Sequence, residues 1–247
     1  LSKNDYETAI RFTKDFYEEN KDFIKSLVKI IGRPVLVEMW KERFFYFRLK
    51  WDFNMVDNQN KAAALSTDQI DVENAKRYDI TYVDEKGERH HPLILHCSPS
   101  GAIERDVYAL LEKAYKEQQT GKAPMLPVWL SPTQVRIIPM SDKYIENVEK
   151  LAKKIEKRCI RVDIDDRVLT LQKRIRAAEM EWVPYIIVVG QREADSGVLP
   201  VRDRKIGKIR EMKTGELIGE IEGLIKGKPF MPLPLPRHLS ERPQFYG

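Results

Sequence analysis

Cysteine is scarce in this chain of 247 residues, which has only Cys97 and Cys159. The two form no CxxC pair, so the sequence excludes a disulfide scaffold, and a reducing, cytoplasmic setting fits best. Hydrophobic runs are also short. None approaches the roughly 20 apolar residues that span a bilayer, and no signal peptide opens the chain, so we expect no membrane association.

Several common catalytic signatures are missing as well. The sequence has no Gly-rich P-loop, GxSxG elbow, HExxH pair or Rossmann fingerprint. What is present is a charged globular composition, with 42% hydrophobic and 33% charged residues. The net charge of +5 permits a polyanionic partner without demanding one. The chain is long enough for one large or two ordinary domains, and because it begins at Leu1 we expect a longer natural chain.

The first half of the chain predicts a helix and several strands. Asn4 or Asp5 is the expected cap of a first helix, which Gly32 ends and Pro34 prevents from continuing. Aromatic and β-branched residues then predict strands at 35–38, 44–56, 80–83 and 93–97. An apolar pattern of helical period follows at 103–117. Strands joined by short turns, then one helix, favour an antiparallel sheet.

The second half alternates strands with helices. A linker is expected at 120–124. Strands at 135–140, 159–164, 185–190 and 198–202 and helices at 143–157, 168–181 and 214–225 predict a small three-layer α/β domain with a largely parallel sheet. The predicted domains are therefore 1–123 and 124–228. Residues 229–247 form a proline-rich tail, for which we expect an extended segment on a surface.

The segment from His96 to Arg105 reads HCSPSGAIER and resembles motif 3 of class II aminoacyl-tRNA synthetases, a strand followed by a helix with G-x-x-E-R. Further segments occur in the order and spacing of threonyl-tRNA synthetases, with a spelling similar to archaeal members: LSTDQIDV, YDITYV, PLILH, GAIERD, PVWLSP, TQVRIIP, RVDIDD, VPYIIVVG and GVLPVRDR. The resemblance runs from about Trp40 to the C-terminus, and the first forty residues match poorly.

The resemblance implies the fold class: α/β and α+β, with the later, antiparallel-sheet half of a class II catalytic domain before a three-layer α/β anticodon-binding domain. It implies a cytoplasmic ligase that forms threonyl-adenylate from threonine and ATP with Mg²⁺ and transfers threonine to tRNA(Thr). The complete enzyme would be a homodimer. Motifs 1 and 2 are not found here, so we expect the chain alone to be inactive. A non-catalytic tRNA-binding paralogue and a general RNA-binding module remain alternatives.

His96 is the candidate metal ligand. It alternates with Ile94 along its strand, and spacing alone favours a satisfied polar core residue. The resemblance instead implies that His96 is one of three protein ligands of a Zn²⁺ that senses the threonine hydroxyl. The other two ligands, a cysteine and a histidine, lie upstream in the family. Cys97 is a poor substitute because adjacent strand residues face opposite ways, so we expect this chain alone to be nearly free of zinc.

Arg105, Thr67, Gln69 and Gly101 are the other candidates in the first domain. The resemblance assigns Arg105 to ATP, and Thr67 and Gln69, which share a strand face, to the threonine and adenylate pocket. Gly101 either lets the backbone approach the ligand or ends a turn. A salt bridge for Arg105 and a solvated polar stripe for the strand pair are the alternatives.

This sequence departs from the pattern of bacterial members at three positions of the first domain. Bacterial members carry glutamine and serine where Ala64 and Ala102 stand, and Phe47 falls where they have a pocket tyrosine. Some adenylate contacts therefore do not carry over.

In the second domain, Arg202 and Glu193 best match family positions that read anticodon bases. Arginine suits a guanine edge and a carboxylate suits a base amine. The remaining candidates for anticodon contact are Arg167, Lys173, Arg176, Arg192 and Arg204. Basic residues on surface helices are commonly only solvated, which is the alternative for part of this set.

Overall fold

The computed structural model describes residues 1–243, and the predictions for 244–247 lie outside the described residues. The chain divides into two compact units, with the boundary between Lys116 and Glu117. We call them unit 1 and unit 2. No helix within residues 1–243 is long and apolar enough to cross a bilayer.

Unit 1 is built on a five-stranded sheet with the strand order β2-β1-β3-β4-β7. The pairs β1/β3, β3/β4 and β4/β7 are antiparallel, as predicted, and only the pair of β1 with the edge strand β2 is parallel. Its elements are β1 (Glu7–Thr13), α1 (Lys14–Glu19), α2 (Lys21–Ile31), β2 (Leu36–Trp40), β3 (Phe47–Val56), β4 (Ala62–Asp71), α3 (Asn74–Arg77), β5 (Tyr82–Val83), β6 (Arg89–His90), β7 (Ile94–Ser98) and α4 (Ile103–Gln119).

The single first helix that the apolar pattern predicted is wrong at its start. Glu7–Thr13 is a strand, and two helices follow it. Burial does not alternate along this central strand: Thr8, Ala9, Ile10, Phe12 and Thr13 are all buried, and the apolar residues therefore show no clean period of two. The predicted end is confirmed, because Gly32 has a left-handed φ of 70° and its N–H donates to the Val28 carbonyl.

One face of the unit 1 sheet packs against α1 and α2. Ile10 and Phe12 of β1 are fully buried there with Leu49 of β3. Helix side chains, Phe16 and Ile24 among them, complete this core. Since strand side chains alternate, the residues between these apolar positions point to the opposite face.

Unit 2 contains a second five-stranded sheet, ordered β12-β11-β10-β8-β9. Strands β9, β8 and β10 are parallel, as expected, whereas β11 and β12 form an antiparallel hairpin on β10. Strand β12 and helix α7 lie outside the elements predicted from the sequence. The elements are β8 (Val135–Pro139), α5 (Ile145–Glu156), β9 (Val162–Ile164), α6 (Leu171–Met180), β10 (Tyr185–Val189), α7 (Gln191–Ser196), β11 (Val198–Asp203), β12 (Lys208–Lys213) and α8 (Thr214–Ile225).

Helices cover both faces of the unit 2 sheet, which confirms the predicted three layers. Buried side chains of α5 and α8, such as Val148 and Leu217, pack with the sheet into the larger core. On the other face, Ala178 of α6 packs against Ile138 and Ile186. Between Pro229 and Pro243, part of the tail lies along the edge strand β9, where the Ile164 N–H donates to the Arg237 carbonyl and Ile164 forms a bridge with His238.

Candidate functional site

The face of unit 1 turned away from α1 and α2 gathers the predicted polar residues. Thr67, Gln69 and Asp71 alternate along β4, so their side chains share one face. On β7, His96 is the register partner of Gln69, and Ser98 is the partner of Thr67. Directly opposed residues of an antiparallel pair lie on the same side of the sheet. The structure therefore brings Thr67, Gln69 and His96 together.

Tyr46 joins this group, although the sequence analysis had pointed to Phe47. The Tyr46 hydroxyl donates to Gln69 Oε1 at 2.5 Å, and Gln69 Nε2 donates to Thr67 Oγ1 at 3.3 Å. The Tyr46 and His96 rings lie 5.7 Å apart in an edge-to-face arrangement. Phe47, by contrast, is buried. Its strand begins with a register irregularity between Phe47 and Leu49, which simple alternation does not reveal.

Asp71 fixes the His96 imidazole. His96 Nε2 lies 2.8 Å from Asp71 Oδ2, and Asp71 is fully buried. Burial by itself would raise the pKa of Asp71, but hydrogen bonds from the Asn74 backbone, His96 and the Glu73 backbone outweigh it and hold that pKa well below its usual range. The carboxylate is therefore ionised at neutral pH and orients the ring, leaving Nδ1 for another partner.

A carboxylate that holds one ring nitrogen of an exposed histidine is the usual setting of a metal-ligating imidazole. His96 belongs to no group of three metal-ligating side chains in the described part of the chain, where such a group is formed only by Asp84, Glu88 and His90 on the β5–β6 hairpin. Cys97 faces the other side of the sheet, opposite Asp68. The residues present thus fit one ligand of a zinc site.

Arg105 is placed in the first turn of α4, and its Nη1 donates to the Ala64 carbonyl of β4 at 3.0 Å. The turn before the helix depends on Gly101, which has a left-handed φ of +64°. A Cβ built there would lie 1.7 Å from the Leu65 carbonyl oxygen, so only glycine allows this turn to pack on β4. Gly101 thereby sets the position of Arg105 beside the strand that carries Thr67.

Two further cations occupy the same face of the sheet. Lys50 is the register partner of Gln69 on one side and of Arg11 on the other. Burial, together with the nearby charges of Arg11 and Arg105, lowers the pKa of Lys50. Lys50 Nζ lies 3.2 Å from the buried carboxylate of Asp52, which Arg11 also contacts. Sequence reasoning missed Arg11, Lys50 and Asp52, because alternation along a strand does not distinguish a functional polar face from a solvated one.

In unit 2, Arg176 of α6 and Arg202 of β11 line one cleft of about 390 Å³. Arg202 Nη1 lies 3.7 Å from Glu179 Oε1, a long ion pair that leaves the guanidinium accessible. Arg204 also borders this cleft, but Arg204 Nε donates to the Pro124 carbonyl and Nη1 to the Glu179 carbonyl, both at 2.7 Å. Burial lowers the pKa of Arg204. Arg204 is therefore a structural residue that fastens the linker.

The remaining candidates lie at the carboxyl ends of the parallel strands, the edge where open α/β sheets commonly bind ligands. Arg167 follows β9 and is held by two hydrogen bonds to Asp165, at 2.8 and 2.7 Å. Glu193 follows β10, and one of its oxygens caps α7 by accepting from the Gly190 N–H at 2.9 Å. Arg192 is exposed and paired with a surface carboxylate. Lys173 lies in the first turn of α6.

Comparison with known proteins gives a consistent result. Residues 134–224 match the family model described as anticodon binding domain. The chain is 60% identical over all 247 residues to the threonine–tRNA ligases of Pyrococcus horikoshii and Pyrococcus furiosus, and 56% identical over 244 residues to that of Nitrosopumilus maritimus. It spans about 40% of the length of the two Pyrococcus proteins.

Two solved structures share the fold. The chain aligns with the RNA binding domain of threonyl-tRNA synthetase from Cryptosporidium parvum with a TM-score of 0.69 at 22% identity, covering 92% of this chain and 56% of that one. It aligns with a putative threonyl-tRNA synthetase of Aeropyrum pernix with a TM-score of 0.63 at 18% identity, covering 97% and 58%. The sequence identities confirm the resemblance: along its whole length the chain is similar to part of the archaeal threonine–tRNA ligases, and residues 134–224 match the anticodon binding domain model.

Proposed function

We propose that this chain is the part of a threonine–tRNA ligase that completes the threonine-activating site in unit 1 and binds the anticodon of tRNA(Thr) in unit 2. The observation that carries the proposal is the 60% identity over the whole chain, joined to a polar sheet face at the positions that the resemblance assigns to substrate. The complete enzyme is a cytoplasmic homodimer in this proposal.

In unit 1, threonine and its adenylate would lie over β4 and β7. Thr67, Gln69 and Tyr46 form a hydrogen-bonded set that is already ordered, so little rotamer freedom is lost when a substrate binds. Arg105, with Lys50 nearby, supplies positive charge for the phosphates of ATP, which the enzyme takes as its Mg²⁺ complex. Negative charge develops on the leaving pyrophosphate, and a preplaced cation stabilises it.

His96 is the zinc ligand that this chain contributes. Asp71 orients its ring through Nε2, which leaves Nδ1 as the ligating atom. When bound, zinc would coordinate the hydroxyl of threonine and so distinguish it from valine, which lacks that group. A metal that bonds to the hydroxyl distinguishes the two amino acids by a chemical bond. A cavity that selects by size alone would not distinguish them.

In unit 2, Arg202 and Arg176 would contact unpaired anticodon bases from the cleft they share. A guanidinium donates two parallel hydrogen bonds to a guanine edge. The oxygen of Glu193 that does not cap α7 is able to accept from a base amine. Arg167 and Lys173 lie at the same sheet edge and would contact the phosphate backbone.

Binding to RNA tests the proposal. The chain should bind a threonine tRNA transcript more tightly than the same transcript with all three anticodon bases replaced. Fluorescence anisotropy measures both affinities. Equal binding of the two transcripts would contradict anticodon recognition.

The alternative is a tRNA-binding paralogue without catalysis. ATP–pyrophosphate exchange, measured with the complete polypeptide, distinguishes such a paralogue from an active ligase. Arg105→Ala should lower the exchange rate strongly and leave anisotropy unchanged. A complete polypeptide that binds tRNA but shows no threonine-dependent exchange would favour the paralogue.

A further inference from the structure

Arg11 and Asp52 form an ion pair on the sheet face that carries the proposed substrate site. Arg11 belongs to β1, and Asp52 belongs to β3, where it is the register partner of Thr67. The Nη1 of Arg11 donates to Asp52 Oδ2, and its Nε donates to Glu38 Oε2 at 2.7 Å. The guanidinium therefore joins two carboxylates, one on each strand that neighbours β1.

Lys50 shares the carboxylate of Asp52 with Arg11. Lys50 Nζ lies 3.2 Å from Asp52 Oδ1, yet within the described residues that oxygen accepts no hydrogen bond. The ammonium is therefore attracted to Asp52 by charge, and its N–H groups are not committed to that carboxylate. Only 24% of the Lys50 side chain is exposed, and its register partner on β4 is Gln69. A partly buried cation of this kind fits an anionic ligand.

The charges of this cluster balance only when Arg11 is included. Arg11 and Lys50 are the cations, and Glu38 and Asp52 are the anions. Asp52 is 1% exposed, so an unpaired charge on it would be costly. Burial and the like charges of Arg11 and Arg105 lower the pKa of Lys50. Without Arg11, Lys50 would be left as the partner of Asp52 and would be drawn towards that carboxylate.

The reaction of the proposed function needs a cation that is free to face substrate. A carboxylate oxygen of threonine bonds to the α-phosphorus of ATP as the bond to the leaving pyrophosphate breaks, so anionic groups are brought together. A preplaced cation stabilises their charge, and a displacement of about 1 Å costs catalysis about a hundredfold. Lys50 stands beside Gln69, which belongs to the hydrogen-bonded set over which substrate would lie.

We propose that Arg11 is a positioning residue of threonine activation, which neutralises the buried carboxylate of Asp52 and thereby leaves the Lys50 ammonium free to face the anionic substrate groups. The inference rests on the proposed function and adds a role for β1, to which the sequence resemblance assigned none. Arg11 itself touches no substrate, and its effect on the reaction runs through Lys50.

Threonine-dependent ATP–pyrophosphate exchange by the complete polypeptide tests this role. Arg11→Met removes the charge but keeps an unbranched side chain, and it should lower kcat at least about tenfold. KM for threonine should change much less, because Thr67, Gln69 and His96 are unaltered. Arg11→Lys keeps a positive charge beside Asp52 and should recover part of the lost kcat.

The decisive variant combines Arg11→Met with Asp52→Asn. If Arg11 acts by neutralising Asp52, removing that carboxylate as well should return kcat to within about threefold of the unaltered enzyme. An arginine that contacted ATP itself, or that only stabilised the sheet, would gain no activity from the second substitution. The double variant leaves no buried carboxylate unpaired, so it decides the question even if Arg11→Met alone does not fold. A double variant that stays at least about tenfold slower than the unaltered enzyme would overturn the proposal.

Arg48→Met is the matched control. Arg48 also binds two carboxylates, Asp15 at 3.0 Å and Glu19 at 3.2 Å, and its side chain is 31% exposed, close to the 28% of Arg11. Its partners belong to α1, on the sheet face away from the site, so Arg48→Met should leave kcat near that of the unaltered enzyme.

Equal loss of kcat in Arg48→Met and Arg11→Met, or no loss in Arg11→Met, would overturn the role of Arg11 and leave the proposed function standing. Absence of threonine-dependent exchange in the unaltered complete polypeptide would overturn both.

Discussion

The two units differ in how completely they bury their apolar residues. Unit 2 has a continuous core on one face of its sheet and a smaller one on the other. Unit 1 buries one sheet face but leaves large side chains open along β7 and α4, with Leu95 72% and Ile103 78% exposed. Burial of apolar surface is the main source of folding free energy. The difference indicates that unit 2 carries its own stability and that unit 1 depends on further contacts.

Separate expression of the two parts is the strongest test of this difference in stability. Residues 124–247 should fold alone, because the core of unit 2 draws on no residue of unit 1. Residues 1–123 alone should bind a hydrophobic dye and lack a cooperative transition. Thermal unfolding followed by circular dichroism distinguishes them. A cooperative transition in 1–123, or a protease-sensitive 124–247, would reverse the contrast.

Zinc retention tests the proposed role of His96 in unit 1. A single imidazole does not hold zinc, so the 247-residue chain should purify with well under one zinc per molecule and should form no threonyl-adenylate. In a complete enzyme, His96→Ala should abolish zinc retention and discrimination against valine. Elemental analysis and ATP–pyrophosphate exchange measure both. Full zinc retention and unchanged discrimination against valine in the His96→Ala enzyme would contradict the assignment of His96.

A buried and an exposed ion pair of unit 2 should differ in their contributions to the free energy of unfolding. Arg136 and Asp163 are both fully buried and joined at 2.8 Å. Arg136→Ala leaves that carboxylate without its main partner and should cost about 3–5 kcal/mol of unfolding free energy. Arg158→Ala breaks an exposed pair with Glu222 and should cost at most about 1 kcal/mol. Urea unfolding compares the two, and equal costs would show that burial does not set the energetics.

The smallest effect expected is a pH dependence of the tail. Burial lowers the pKa of His238, but hydrogen bonds to Glu149 and Asp166 outweigh burial and raise that pKa above its usual value. A raised pKa means that the contribution to stability is fully present in mild acid and is lost as pH rises through the pKa of the folded state. The thermal midpoint should therefore fall slightly on the alkaline side. His238→Gln should remove that pH dependence. If the thermal midpoint of His238→Gln still depends on pH in the same way, His238 is not its source.

Much of the fold is predictable from the sequence, because strong local signals agree with it. The helix at 214–225 has the predicted bounds, and the buried strand β10 and the end of α2 at Gly32 also lie where they were expected. The prediction failed at β1, where consecutive residues are buried and the apolar side chains do not alternate, and at β12, a charged strand whose partner is set by tertiary contacts.

The candidate sites divide in the same way. Strand alternation placed Thr67 and Gln69 on one face, and the register of β4 with β7 added His96. Lys50 and Asp71 were missed because their roles depend on cross-strand neighbours, which a single strand does not reveal. Arg204 was one of the candidates for anticodon contact, and the structure shows its guanidinium bound to carbonyls of its own unit.

The most direct measurement compares Arg202→Ala with Arg158→Ala for binding to threonine tRNA and to transcripts altered at single anticodon bases. Arg202 lines the cleft with Arg176, whereas Arg158 is an exposed arginine of the same unit outside that cleft. The account predicts that Arg202→Ala weakens binding by about 1–3 kcal/mol and relaxes the preference at one anticodon base, while Arg158→Ala leaves both within error. Unchanged affinity and preference in Arg202→Ala would contradict the claim that unit 2 reads the anticodon.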